Sequence, residues 1–111
     1  MRNLILSTVF GLIALPVAAG SIQGTWAGQP EHCTGTYPET KVKISGSRIS
    51  FMDSSCTLEN PTALRGMPEA KLYDKTCSGE GETWSERVLI GNDGDDLMIY
   101  SRGYVSTYKS C

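Results

Sequence analysis

The sequence is short of the residue types that most enzyme chemistries need. It has a single histidine, His32, among 111 residues, so a nucleophile of the Ser-His-Asp or Cys-His kind has only one side chain to serve as base. That histidine sits between Glu31 and Cys33 in a stretch without periodicity, where an imidazole is ordinarily solvated. The four cysteines leave gaps of 22, 20 and 33 residues and contain no C-x-x-C pair, the spacing that zinc sites use. No metal or cofactor set is therefore expected. Basic residues are also few, ten against twelve acidic ones, which argues against nucleic acid as a partner because phosphate binding needs a clustered basic face. Lys41, Lys43 and Arg48 do lie close together, and they read as the solvated side of one hairpin. After Gly20 there is no apolar stripe of helical period spanning ten residues or more. There are no internal repeats, low-complexity tracts or linkers either.

What is present begins with an export signal. Arg2 precedes an apolar run over residues 4–15, and the segment closes on Pro16-Val17-Ala18-Ala19, with small residues where a signal peptidase cuts. The run is shorter than the roughly 20 apolar residues that a membrane span requires. No cysteine follows the cut for a lipid anchor. Residues 1–19 are thus expected to be a signal peptide of bacterial type, and residues 20–111 a single domain in the periplasm or outside the cell, free of the membrane. The signal takes one basic residue and no acidic one, so the mature charge is −3. Removing 19 of 111 residues leaves 92, a length at which the core alone is marginal and a staple is expected. In an oxidising compartment four cysteines supply it as two disulfides.

Period-two alternation marks the strands. Residues 21–27 set Ile22, Gly24 and Trp26 against Gln23 and Thr25; residues 29–40 read as a loop. Residues 41–44 and 48–51 form a hairpin about Ser45-Gly46-Ser47, with Val42, Ile44, Ile49 and Phe51 inward, and its second strand is expected to run on to Leu58. Asn60-Pro61 and Gly66-Met67-Pro68 read as breaks. The C-terminal third is a meander of four strands, residues 70–77, 82–90, 96–100 and 104–111, with Trp84, Val88, Ile90, Leu97 and Ile99 facing the core. About seven short antiparallel strands in sequential order make an all-β, up-and-down sheet curled into a small barrel. Four cysteines allow three pairings. A wide hairpin centred near Gly66 puts Cys56 opposite Cys77, which favours that bridge and leaves Cys33 with Cys111. Losing either bridge is expected to cost about 2 to 5 kcal/mol.

Three groups are candidates for function. Glu80 and Glu82 sit two apart, and glycoside hydrolysis uses paired carboxylates, but a glycine-flanked turn points them into water. Asn92-Asp93-Gly94-Asp95-Asp96 is acidic, yet it lacks the alternating ligands, distal glutamate and flanking helices of a calcium loop. Its Asn-Asp-Gly core is what a tight turn selects. Tyr100, Tyr104 and Tyr108 are the third group. They serve either as cross-strand packing or as a surface for another protein, since tyrosine is enriched in such surfaces.

Gly24-Thr25-Trp26, a G-x-W in the first strand, resembles the start of calycin-type barrels. The wider plan of export signal, small sheet and spread cysteines resembles the small periplasmic proteins that include the C-type lysozyme inhibitors. It is more similar still to small exported bacterial β-domain proteins that share the G-x-W, a C-x-G-E-G-E-x-W stretch (here from Cys77 through Glu80 and Glu82 to Trp84) and a C-terminal cysteine, Cys111. The lysozyme-inhibitor family carries S-G-x-x-Y; the nearest segment here, Ser45-Gly46-Ser47-Arg48, is followed by Ile49, so no inhibitory residue transfers. The expected function is an exported, non-catalytic binding module whose partner is another protein, with inhibition of an exported or host hydrolase as one form. The alternative is a carrier of small apolar ligands in a calycin-like cavity. A hydrolase using Glu80 and Glu82 ranks third.

Overall fold

The computed structural model describes residues 21–34 and 39–111. The expected signal peptide and part of the expected 29–40 loop lie outside the described residues. Eight antiparallel strands follow one another around a closed barrel: β1 (Gly24–Ala27), β2 (Val42–Ser45), β3 (Arg48–Ser50), β4 (Ser55–Leu64), β5 (Met67–Gly79), β6 (Glu82–Asp93), β7 (Asp96–Ser101) and β8 (Tyr104–Ser110). Each pairs with its neighbours in sequence, and β8 returns to β1. One 3-10 turn, Pro30–His32, interrupts the loop between β1 and β2.

The strand count is eight rather than about seven because the chain reverses between Ser50 and Ser55. The Phe51 N–H donates to the Ser54 carbonyl at 2.9 Å, closing a turn without glycine or proline, so the segment expected to run straight on to Leu58 folds back as β4. Ile49 then faces Cys56 across the new pair. Asn60-Pro61 does not end a strand. It forms a bulge inside β4, with Asn60 at φ +54 and the register shifting between Glu59 and Thr62, as a proline with no N–H to give the ladder requires. Pro68 likewise lies within β5, near its start. Gly66, at φ +77, is the true pivot of this hairpin.

That pivot sets Cys56 directly opposite Cys77, and the two are bonded, with Cα atoms 4.0 Å apart. Cys33 and Cys111 form the second disulfide, 78 positions apart in sequence. The first lies among the buried core residues. The second ties the loop after β1 to the end of the chain, beside the junction where the barrel closes.

Alternation fills the interior. Trp26, Val42, Ile44, Ile49, Leu58, Val88, Ile90, Leu97 and Ile99 are all buried, while Phe51, Trp84 and Tyr108 pack half-buried against them. The inward face is not wholly apolar. Lys75 lies opposite Leu58 on one side and Glu86 on the other, and it is buried.

Candidate functional site

The β7–β8 hairpin turns on Arg102 and Gly103, both at positive φ. A type I′ turn of this kind matches the strand twist, but it holds Arg102 where a side chain is disfavoured. Register then sorts the three tyrosines. Leu97 faces Tyr108 and Ser101 faces Tyr104, whereas Tyr100 faces Val105. Leu97 points inward, so Tyr104 and Tyr108 share the inward side and Tyr100 takes the outward one. Tyr108 reaches the core and packs there. Tyr104, near the tip of the same face, is 77% exposed, and Val105 and Tyr100 are 60% and 44% exposed. The three tyrosines therefore do not form one patch: Tyr108 is packing, while Tyr100, Tyr104 and Val105 clothe the tip of the hairpin.

The tip is fastened from beneath. Arg102 Nε lies 2.7 Å from Glu86 Oε1, and Lys75 Nζ lies 2.9 Å from Glu86 Oε2. The Ser101 hydroxyl donates to Glu86 Oε1 at 3.2 Å. Lys75 in turn stands over the Phe51 ring, 5.0 Å from its centroid, a distance at which the ring quadrupole attracts an ammonium. One carboxylate thus receives two cations and a hydroxyl inside the end of the barrel. Burial alone would push the Glu86 carboxyl up, but the Lys75 ammonium, with Arg102 and Ser101, holds it below its usual value.

Period-two alternation puts Glu86 on the face of Trp84, Val88 and Ile90, but one strand read alone does not show this cluster. The usable signal was parity: a glutamate among inward residues on one strand, and Lys75 in step with inward Cys77 on the next.

Glu80 and Glu82 sit where their turn was expected, with Glu80 at φ +52 and Gly81 at φ +82. Both are exposed, and among the described residues neither carboxylate has a hydrogen-bond or ion-pair partner to fix it. With Asp53, Ser54 and Trp84 they line an open cleft of about 290 Å³. At the opposite end of the barrel a cleft of about 300 Å³ is lined by Ile22, Leu58, Pro61, Lys71 and Tyr73 among others; burial there pushes the Tyr73 hydroxyl up. Between the two ends the axis is occupied by Ile49, Ile90 and Leu97, each at most 1% exposed, and by the Lys75–Glu86 pair.

His32 is half-buried rather than free in solvent. Its Nδ1 lies 2.6 Å from the Thr40 hydroxyl and its Nε2 lies 3.1 Å from Glu39, and Thr40 also accepts from the Gly28 N–H at 2.8 Å. The ring ties the 3-10 turn to the end of the β1–β2 loop, and Thr40 joins that end to Gly28 at its start. Lys43 and Arg48 are exposed on the outer wall, with Arg48 donating to the Ser55 hydroxyl at 3.1 Å. In the acidic turn only Gly94 takes positive φ, and Asn92 uses its side-chain amide to hold the Ser21 carbonyl at 3.1 Å. Among the described residues no cluster of three or more metal-ligating side chains occurs, and no helix is long and apolar enough to cross a membrane. Comparison with family models, with curated proteins and with solved structures gives no match.

Proposed function

We propose that the chain is an exported, non-catalytic module that binds another protein through the tip of the β7–β8 hairpin, and that the partner class is an exported or host hydrolase. The observation that carries this reading is that Tyr100 and Val105 on one face of the hairpin end and Tyr104 on the other are all exposed, beside a turn whose Arg102 is anchored to a mostly buried carboxylate. Tyrosine and arginine are the residue types that dominate binding hot spots, and their contribution is greatest when they need not be ordered on binding. Two disulfides suit an oxidising compartment, which agrees with the export signal read in residues 1–19.

The test is capture from periplasmic and culture fractions with the disulfide-intact protein, alongside inhibition assays against a panel of lysozymes and proteases. Tyr100→Ala with Tyr104→Ala is the informative variant, because neither side chain belongs to the core. Tyr108→Ala would confuse binding with stability. A partner held by the native protein and weakened at least tenfold by the double variant supports the proposal, and equal capture by both would end it.

A further inference from the structure

Strand β8 has one neighbour for most of its length. β1 pairs with it only at Ser110 and Lys109, and the Cys111 N–H continues that contact by donating to the Thr25 carbonyl at 2.9 Å. Backbone polar groups alternate sides along a strand, so Lys109, Thr107 and Val105 direct their N–H and C=O groups to the same side as Cys111. For Thr107 and Val105 that side is where β1 has ended, and among the described residues no backbone hydrogen bond reaches them there.

Exposed edges of this kind template further pairing, and proteins ordinarily guard them with charge or proline. The comparison within this molecule is direct. β6 also has a free edge, since its pairing with β7 starts only at Leu89. That edge carries Glu82, Glu86 and Arg87 and is crossed by the Ser101 and Arg102 side chains reaching Glu86. The β8 edge reads Tyr104-Val105-Ser106-Thr107-Tyr108, with no charge, proline or glycine.

We infer that this edge is a pairing site for a second copy of the same chain, joined antiparallel about Ser106. A two-fold axis there sets Val105 opposite Thr107 of the second copy, and the four free backbone groups on each strand then satisfy one another in four hydrogen bonds. Tyr104 falls opposite Tyr108 of the second copy, an aromatic pair across strands. Beyond these five residues the β8 edge at Lys109 and Ser110 is taken by β1, so the pairing is confined to residues 104–108, which carry no charge. An unrelated partner strand would have to supply this uncharged register, whereas the chain supplies it to itself. The contact is only about five residues long, below the size of a standard interface, so the dimer is weak, with a dissociation constant of roughly 10 µM to 1 mM.

This inference goes beyond the binding of another protein and is tested without one. Sedimentation velocity on the purified, disulfide-intact protein over a concentration series should show a monomer–dimer equilibrium. Thr107→Pro removes one edge N–H while leaving the bonds to β7, whose donors lie at Ser106 and Tyr108. Val105→Lys leaves the backbone intact and places a charge on the edge. Each should weaken association at least tenfold with an unchanged near-ultraviolet spectrum, and if the proline variant fails to fold, the lysine variant decides alone. A monomer throughout the series, or association that survives Val105→Lys, overturns the inference. Partner capture through Tyr100 and Tyr104 is read in a separate assay, so either reading can fail while the other stands.

Discussion

The two sides of the barrel are built on different terms. From β4 to β6 the strands are long: β5 and β6 pair without interruption from Ala70 and Gly91 to Gly79 and Glu82, ten positions, and the Cys56–Cys77 bridge sits inside the adjoining ladder. From β7 through β8 to β1 the ladders shorten until the closing pair has two positions, and apart from half-buried Tyr108 every residue of β8 is exposed. The first side is held by long backbone ladders, the second by short ladders, a turn, a salt bridge and a covalent tie, although β7 and β1 still give Leu97, Ile99 and Trp26 to the core. β8 gives it only half-buried Tyr108, so it can carry exposed residues at small cost, which is why the candidate contact surface falls on its hairpin.

Breaking the covalent ties is the harshest test of this difference. In the chain-entropy picture a bridge over 78 positions restrains the unfolded chain by about 4.5 kcal/mol and one over 21 positions by about 3.3 kcal/mol. Cys33→Ser with Cys111→Ser should therefore lower stability the most, measured by urea denaturation. Its distinguishing mark is local: amide exchange should rise in β1 and β8 while β4 to β6 stay protected. Cys56→Ala with Cys77→Ala should lower stability without that selective opening. Uniform loss of protection in both variants would mean that the two sides do not differ.

The fold was largely legible in the sequence, and the reasons are instructive. Alternation named Val42, Ile44, Ile49, Val88, Ile90, Leu97 and Ile99 as inward, and all are buried, because a period of two leaves no choice of face once one face is apolar. The cysteine pairing followed from the same geometry about Gly66. What escaped was whatever broke the local rules: a reversal at residues 51–54 with neither glycine nor proline, and a proline accommodated by a bulge. The tyrosines were found, but their separation onto two faces needed the register across the Arg102-Gly103 turn. The charge cluster escaped because Lys75 and Glu86 look solvated one strand at a time, and only the pairing of β5 with β6 brings them together.

That cluster gives the next largest effect and sits where the two sides meet. Glu86→Leu leaves the buried Lys75 without its carboxylate and should cost about 3 kcal/mol. Adding Lys75→Met should recover most of the loss, since well-packed apolar groups replace buried ion pairs at little penalty. A double variant as unstable as the single would show that packing, not charge, was lost. Acid is a gentler probe of the same group. The Glu86 carboxyl is held below its ordinary value in the folded state, so its contribution is fully present above the ordinary glutamate value of about 4.3 and is lost as pH falls through the lower folded value. The native protein should therefore lose stability on acidification below about pH 4.3 more steeply than the Lys75→Met, Glu86→Leu variant, as thermal melts at successive pH values would record.

The smallest effect concerns the tip itself. The Arg102 side chain is 70% exposed, so its bridge to Glu86 contributes at most about 1 kcal/mol, while its positive φ of 53° costs a similar amount that glycine would not incur. Arg102→Ala loses the bridge and keeps the strain, whereas Arg102→Gly loses the bridge and relieves the strain. The glycine variant should therefore lie within about 0.5 kcal/mol of the native protein and about 1 kcal/mol above the alanine variant. If partner capture falls in the glycine variant despite its intact stability, the Arg102 side chain serves the contact, directly or by orienting Tyr104, and not the fold. Capture that is unchanged would make Arg102 an ordinary turn residue and confine the contact surface to the tyrosines and Val105.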